Sequence, residues 1–142
     1  MVDARLSDGT RVAAVLAPLA VDGPVLAVRR HLRRPLPLDA FAAAEVVRVL
    51  HRLVDDRVNI VVYGPTGAGK TTVVNAMAAR LPDHERIVTI EDVAELRLAG
   101  EHVVRLEARP GTADGVGRVE MRDLVRAALR LRPDRIIVGE VR

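Results

Sequence analysis

An α/β fold built on a parallel sheet is what this sequence predicts, and three observations predict it. From residue 40 onward, short β-branched runs alternate with stretches of helical period. A glycine-rich loop, Gly64-Pro65-Thr66-Gly67-Ala68-Gly69-Lys70-Thr71-Thr72, stands where one such run gives way to a helix. Two later runs end in carboxylates, Glu91-Asp92 and Glu140. Residues 1–30 are different, because their hairpin spacing predicts a small antiparallel sheet.

The loop has the spacing G-x-x-x-x-G-K-[ST] of a phosphate-binding P-loop. Among 22 lysine and arginine side chains, Lys70 is the only lysine, so the one compact ammonium lies where a phosphate would sit. Backbone N–H groups of Gly64 to Thr72 are expected to curl round the phosphates of a nucleoside triphosphate, at the positive end of the helix that follows. The hydroxyl of Thr71 is the expected ligand for Mg²⁺.

The remaining elements follow in chain order. Ala4-Arg5-Leu6, residues 11–16 and residues 25–30 read as three strands, separated by Asp8-Gly9 and by Asp22-Gly23-Pro24. Residues 31–39, with Pro35 and Pro37, read as an extended linker. Asp39 is the expected N-cap of a helix whose stripe is Ala43, Val46, Val47, Leu50, Leu53 and Val54. Residues 57–63 read as the strand feeding the loop, and residues 71–81 as a helix stopped by Pro82. Strands are expected over 86–92, 102–106 and 135–140. A glycine-containing loop over 110–117 and a helix over 120–131 lie between the last two. The domain reading is therefore 1–30, a linker over 31–39, and a nucleotide-binding core over 40–142.

Composition removes several function classes. With no cysteine there is no disulfide frame and no thiolate chemistry. No run approaches the roughly 18 apolar residues of a membrane span, so a membrane role is expected to come through a partner. The net charge of +3 permits nucleic-acid contact, but 19 acids are interspersed with the arginines. Phe41 and Tyr63 are the only aromatics, too few for base stacking. The four histidines show no metal-ligand spacing.

In a parallel sheet the carboxyl ends of the strands share one edge, where ligands bind. Phosphoryl transfer needs a cradle, a metal, a carboxylate on the metal side and a group to orient water. Glu140 suits the metal side and Glu91 the water, although either acid could instead cap a helix or form an ion pair. Arg29, Arg30, Arg105 and Arg109 are candidates for contact with the phosphates, with an ion-paired surface role as the alternative. Arg118, Arg122, Arg126 and Arg130 recur every four residues, as a solvated or subunit-facing stripe would.

Four stretches also resemble a known family: PLAVDGPVLAVRRHLRRPLPL, GPTGAGKTTVVNAMAARLPDHERIVTIEDVAELRL, HVVRLEARP and RVEMRDLVRAALRLRPDRIIVGEVR. They are similar to the secretion ATPases of type II and type IV systems, most closely the tight-adherence (Flp) pilus branch, the CpaF/TadA-like ATPases. The resemblance implies a RecA-like core preceded by a small N-terminal domain, assembling as a homohexamer with ATP and Mg²⁺ between subunits. It maps Gly64 to Thr72, including Pro65, Thr66, Gly67, Ala68, Gly69 and Lys70, onto the Walker A motif. Glu91 and Asp92 map onto the Asp box and Glu140 onto the Walker B glutamate. The resemblance also implies that Arg29 or Arg30 reaches the phosphates, and that the protein works at the cytoplasmic membrane through inner-membrane platform proteins. Relative to the family pattern the chain enters the N-terminal domain partway and stops after Walker B, as an internal piece of a longer protein would. Other readings are a conjugation-type ATPase or another P-loop NTPase and, from different classes, an inactive remnant or an arginine-rich nucleic-acid-binding module.

Overall fold

The computed structural model describes residues 1–30, 36–111 and 117–141, and the chain divides into two units, Met1–Arg34 and Pro35–Arg142. In the first unit, β1 (Val2–Arg5), β2 (Arg11–Val15) and β3 (Val25–Arg29) form an antiparallel sheet in that order. Asp8 closes the first turn locally: its Oδ1 accepts the Thr10 N–H at 2.9 Å, and Gly9 takes φ +85°. Paired positions share a face, so Val2, Ala14 and Leu26 lie together, as do Ala4, Val12 and Val28. Period-two alternation thus makes one face of this small sheet wholly apolar.

The second unit carries the parallel sheet. Its strands are β4 (Ile87–Glu91), β5 (Val103–Glu107) and β6 (Arg135–Val138), in the order β5-β4-β6. With a neighbour on each side, all five residues of β4 are buried. Val88 and Ile90 pack on α3 (Met121–Ala128), with Ala128, Leu124, Val125 and Ile136 around them. Each fully buried aliphatic side chain of this kind contributes about 1.5–3 kcal/mol. A capping box of Glu120 and Asp123 starts α3, and a 3-10 turn, Leu129–Leu131, ends it. The second cluster joins α1 (Ala44–Asp55), α2 (Lys70–Ala78) and a 3-10 turn over Leu38–Ala40, through Leu38, Val54, Ala76 and Met77.

Two expectations are corrected here. Asp39 does not cap α1. It lies inside the 3-10 turn, and the N-cap is Ala43, which makes no side-chain cap bond. Burying Leu38 fixes that turn and moves the helix start four residues on. Residues 57–63 form no strand, and Val61 and Tyr63 are 86% and 92% exposed. An apolar, β-branched run counts as a strand only when a neighbour pairs with it, and among the described residues β6 pairs with β4 alone and leaves 57–63 unpaired. Elsewhere the element types hold with shifted ends: α2 stops at Ala78, and β6 at Val138. The linker reading over 31–35 and the loop reading over 112–116 lie outside the described residues.

A charge cluster built on the buried Glu85 ties the amino ends of β4 and β6 to the carboxyl end of α1. Glu85 is 4% exposed and receives Arg135 Nε on Oε2 at 2.5 Å and Arg57 Nη2 on Oε1 at 2.7 Å. Arg135 Nη1 also donates to the Val54 carbonyl at 2.7 Å, linking β6 to the end of α1. Arg57 takes φ +56° where α1 closes, with Val58 N–H on Leu53 O and Arg57 N–H on Val54 O. That is a Schellman ending with arginine at the position usually held by glycine. The Arg135 hydrogen bond, opposed by burial, holds the Glu85 carboxyl below its ordinary value of 4.5.

Because the folded pKa lies below the unfolded one, this contribution is complete above about pH 4.5 and is lost as pH falls through the folded value. Glu85→Ala should cost about 3–5 kcal/mol, since it strands the half-buried Arg135 guanidinium. Urea unfolding at pH 7 and pH 4 checks this, and the gap between variant and wild type should narrow at the lower pH.

Candidate functional site

The loop between Tyr63 and α2 is shaped by backbone conformation. Gly67 and Gly69 take φ +79° and +87°, values an L side chain resists, and a Cβ at either would meet nothing within 4 Å. Open space over the loop and left-handed backbone suit a cradle. Gly69 is the N-cap of α2 and supplies no side chain, so the first N–H groups of the helix have no capping acceptor. Lys70 Nζ donates to the carbonyls of Gly64 and Pro65, each at 2.9 Å. It has no carboxylate partner among the described residues.

A nucleoside triphosphate with Mg²⁺ fits these donors. The helix N–H groups and Lys70 would present positive charge to phosphates, and Thr71 offers a hydroxyl in the first turn. No group of three or more acidic or histidine ligands occurs among the described residues.

The acids at the carboxyl edge separate into two settings. Glu91, the last residue of β4, is 3% exposed. Its Oε1 accepts the N–H groups of Glu95 and Leu96, both at 2.8 Å, while Oε2 is buried without a partner. Gly139 lies directly against it: a Cβ there would come within 2.9 Å of Glu91 Cγ. The Gly139 N–H also donates to Ile90 O at 2.8 Å, holding the end of β6 beside the end of β4. Asp92 turns to the other setting. With Glu140, Glu120, Arg118 and Arg122 it lines a cavity of about 570 Å³ at the start of α3.

The structure therefore brings Glu91 against Gly139 and Asp92 near Glu140, whereas the Lys70 hydrogen bonds stay within its own loop. Arg29 ends β3 and Arg30 follows it, both in the first unit. Arg105 and Arg109 have structural partners: Arg105 Nη2 donates to Leu96 O at 2.8 Å, and Arg109 Nε to Gly117 O at 2.6 Å. Arg118 and Arg122 pair with Glu120, and Arg126 with Asp123, on the exposed face of α3. Two residues that sequence reasoning passed over matter here. Gly139 gives Glu91 its room, and Asn75 on α2 accepts the Arg97 N–H on Oδ1 at 2.9 Å. The glycine inside an otherwise β-branched run was the one available signal.

The whole chain, residues 1–142, matches the family of Type II/IV secretion system proteins, and the chain belongs to that family. Rv3659c of Mycobacterium tuberculosis is 45% identical over 139 residues, covering 93% of this chain and 39% of its own length. The conjugal transfer protein TrbB of Rhizobium radiobacter is 41% identical over 143 residues, covering 94% of this chain and 42% of its own. Among solved structures, the VirB11 ATPase of the Brucella suis type IV secretion system, in complex with sulphate, aligns with a TM-score of 0.60 at 27% identity. That alignment takes in 99% of this chain and 50% of the other. The chain thus spans about two fifths of the curated relatives it matches.

Gly139→Ala should push Glu91 from its place and cost about 1–3 kcal/mol, the usual penalty for an inserted methyl. Faster amide exchange at Glu95 and Leu96, the two N–H groups on Glu91, would mark that displacement. Unchanged exchange at both would show the contact to be soft.

Proposed function

We propose that this chain is the ATP-binding and ATP-hydrolysing part of a motor ATPase that energises pilus assembly or protein secretion. The observation that carries the reading is the loop at α2. It combines left-handed glycines, an uncapped helix start and the only lysine of the sequence, in a member of the Type II/IV secretion family. A relative solved in complex with sulphate supports an oxyanion site in this fold. In this reading Gly64 to Thr72 cradle the phosphates, and Thr71 with Glu140 would hold Mg²⁺. When bound, the metal would supply charge neutralisation on the phosphates. Glu91 orients the attacking water.

A conjugation-type secretion ATPase is the second reading, favoured by the printed name of the relative TrbB, a conjugal transfer protein. Both readings place the protein at the cytoplasmic face of a membrane machine. No helix among the described residues is long and apolar enough to cross a membrane, so the contact would run through platform proteins. The subunits would form a ring, a hexamer in the tight-adherence reading, with Arg29 or Arg30 of one subunit reaching the phosphates held by another.

Lys70→Ala in the whole protein should abolish ATP turnover while leaving thermal unfolding unchanged, because the side chain fills no core space. Normal ATPase rates in a folded Lys70→Ala protein would overturn the assignment. The intersubunit role has its own check. An Arg29→Ala/Arg30→Ala double variant and Lys70→Ala each lack one half of a shared site. Mixing the two should recover partial turnover that neither shows alone. Turnover per chain should also rise with protein concentration until rings are complete.

A further inference from the structure

Residues 93–98 follow the acid pair and belong to no helix or strand, yet their backbone is held at consecutive positions. Glu95 N–H and Leu96 N–H both bind Glu91 Oε1, Arg97 N–H binds Asn75 Oδ1, and Leu96 O takes Arg105 Nη2. Leu96 itself is 1% exposed. Three different elements, β4, α2 and β5, thus supply the side chains that fix one short irregular segment. Backbone groups in such a segment need partners as much as those in a helix do, and here side chains provide them.

Asn75 is the only one of the three that lies on the P-loop helix. It stands four residues after Thr71, so the two share a face of α2, one turn apart. Only the oxygen of its amide can meet a backbone N–H, so the bond to Arg97 also fixes which way the amide points. At the other end of the segment, Glu91 has one oxygen fully engaged by Glu95 and Leu96 and the other buried and unpartnered. The direction of that second oxygen is set by where the segment lies. The segment in turn is anchored to α2 through Asn75.

We infer that Asn75 is a positioning residue: through the backbone of residues 95–97 it aligns the Glu91 carboxylate with the nucleotide loop. This rests on the reading of the loop as an ATP site, and it adds a route by which a shift of α2 on nucleotide binding reaches the acid. Asn75 touches neither phosphate nor water in this scheme. Its loss should therefore lower turnover and leave nucleotide affinity alone.

The test uses the whole protein with three measurements: ATP turnover, binding of a fluorescent ATP analogue, and amide exchange at Glu95, Leu96 and Arg97. Asn75→Leu keeps the volume and removes the acceptor. It should lower kcat by about 10²-fold, the scale expected for an ångström of misplacement, with analogue affinity unchanged. Exchange should quicken at Glu95 and Leu96 as well as at Arg97. Asn75→Asp keeps an oxygen in place and should restore most of the turnover and the protection at Arg97. A wild-type kcat in Asn75→Leu, or faster exchange confined to Arg97, would overturn the inference. If the wild-type protein binds no nucleotide, the reading of the loop fails by itself. The mechanical link is then judged by exchange alone: quickening at Glu95 and Leu96 upholds it, and its absence overturns it.

Discussion

The burial of β4 on both edges and both faces is the constraint from which the rest of the second unit follows. A central parallel strand has no solvent side, so each residue must find an apolar neighbour or a polar partner. Val88 and Ile90 meet this need against α3 and the flanking strands. Thr89 and Glu91 lie on the opposite face, and each leaves one buried oxygen unpartnered, Thr89 Oγ1 and Glu91 Oε2. Alternation along a single strand thus separates the aliphatic face packed on α3 from a face that carries two polar side chains. The apolar positions hold the helix, and the polar positions keep unused acceptor capacity near the carboxyl edge.

Charge is treated in two ways at the two ends of that sheet. At the amino ends, the Glu85 carboxylate bridges Arg135 and Arg57, and the Arg135 fork spans β6, the turn before β4 and the end of α1. Such a cluster adds less net stability than its distances suggest, because desolvation offsets much of the attraction. Its value lies in register, since only one arrangement pairs every group. At the carboxyl ends the acids stay apart from the one lysine, whose ammonium rests on two carbonyls of its own loop. Neutral partners leave Lys70 available to an anion in a way that a carboxylate partner would not.

Irregular backbone is what connects the loop to the acids. The segment 93–98 gains its order from Glu91, Asn75 and Arg105, and the end of β6 gains its place from the absence of a Cβ at Gly139.

The sequence by itself determined the conformation of the glycine loop, because consecutive residues carry its geometry: the glycines set the backbone and the lysine sets the charge. It also determined the type of β4, β5, β6 and α3, whose periodicities are local. It misread residues 57–63 and Asp39 for one shared reason. Strand and cap propensities describe what a segment can do alone, while a strand exists only through pairing with a neighbour and a helix start yields to the burial of Leu38. Tertiary structure alone decided the Glu85–Arg135 pair, the Asn75–Arg97 bond and the fit of Glu91 against Gly139, which join residues 50, 22 and 48 positions apart. No local pattern encodes such pairs, since each exists only once the parallel sheet has brought distant strand ends onto one edge.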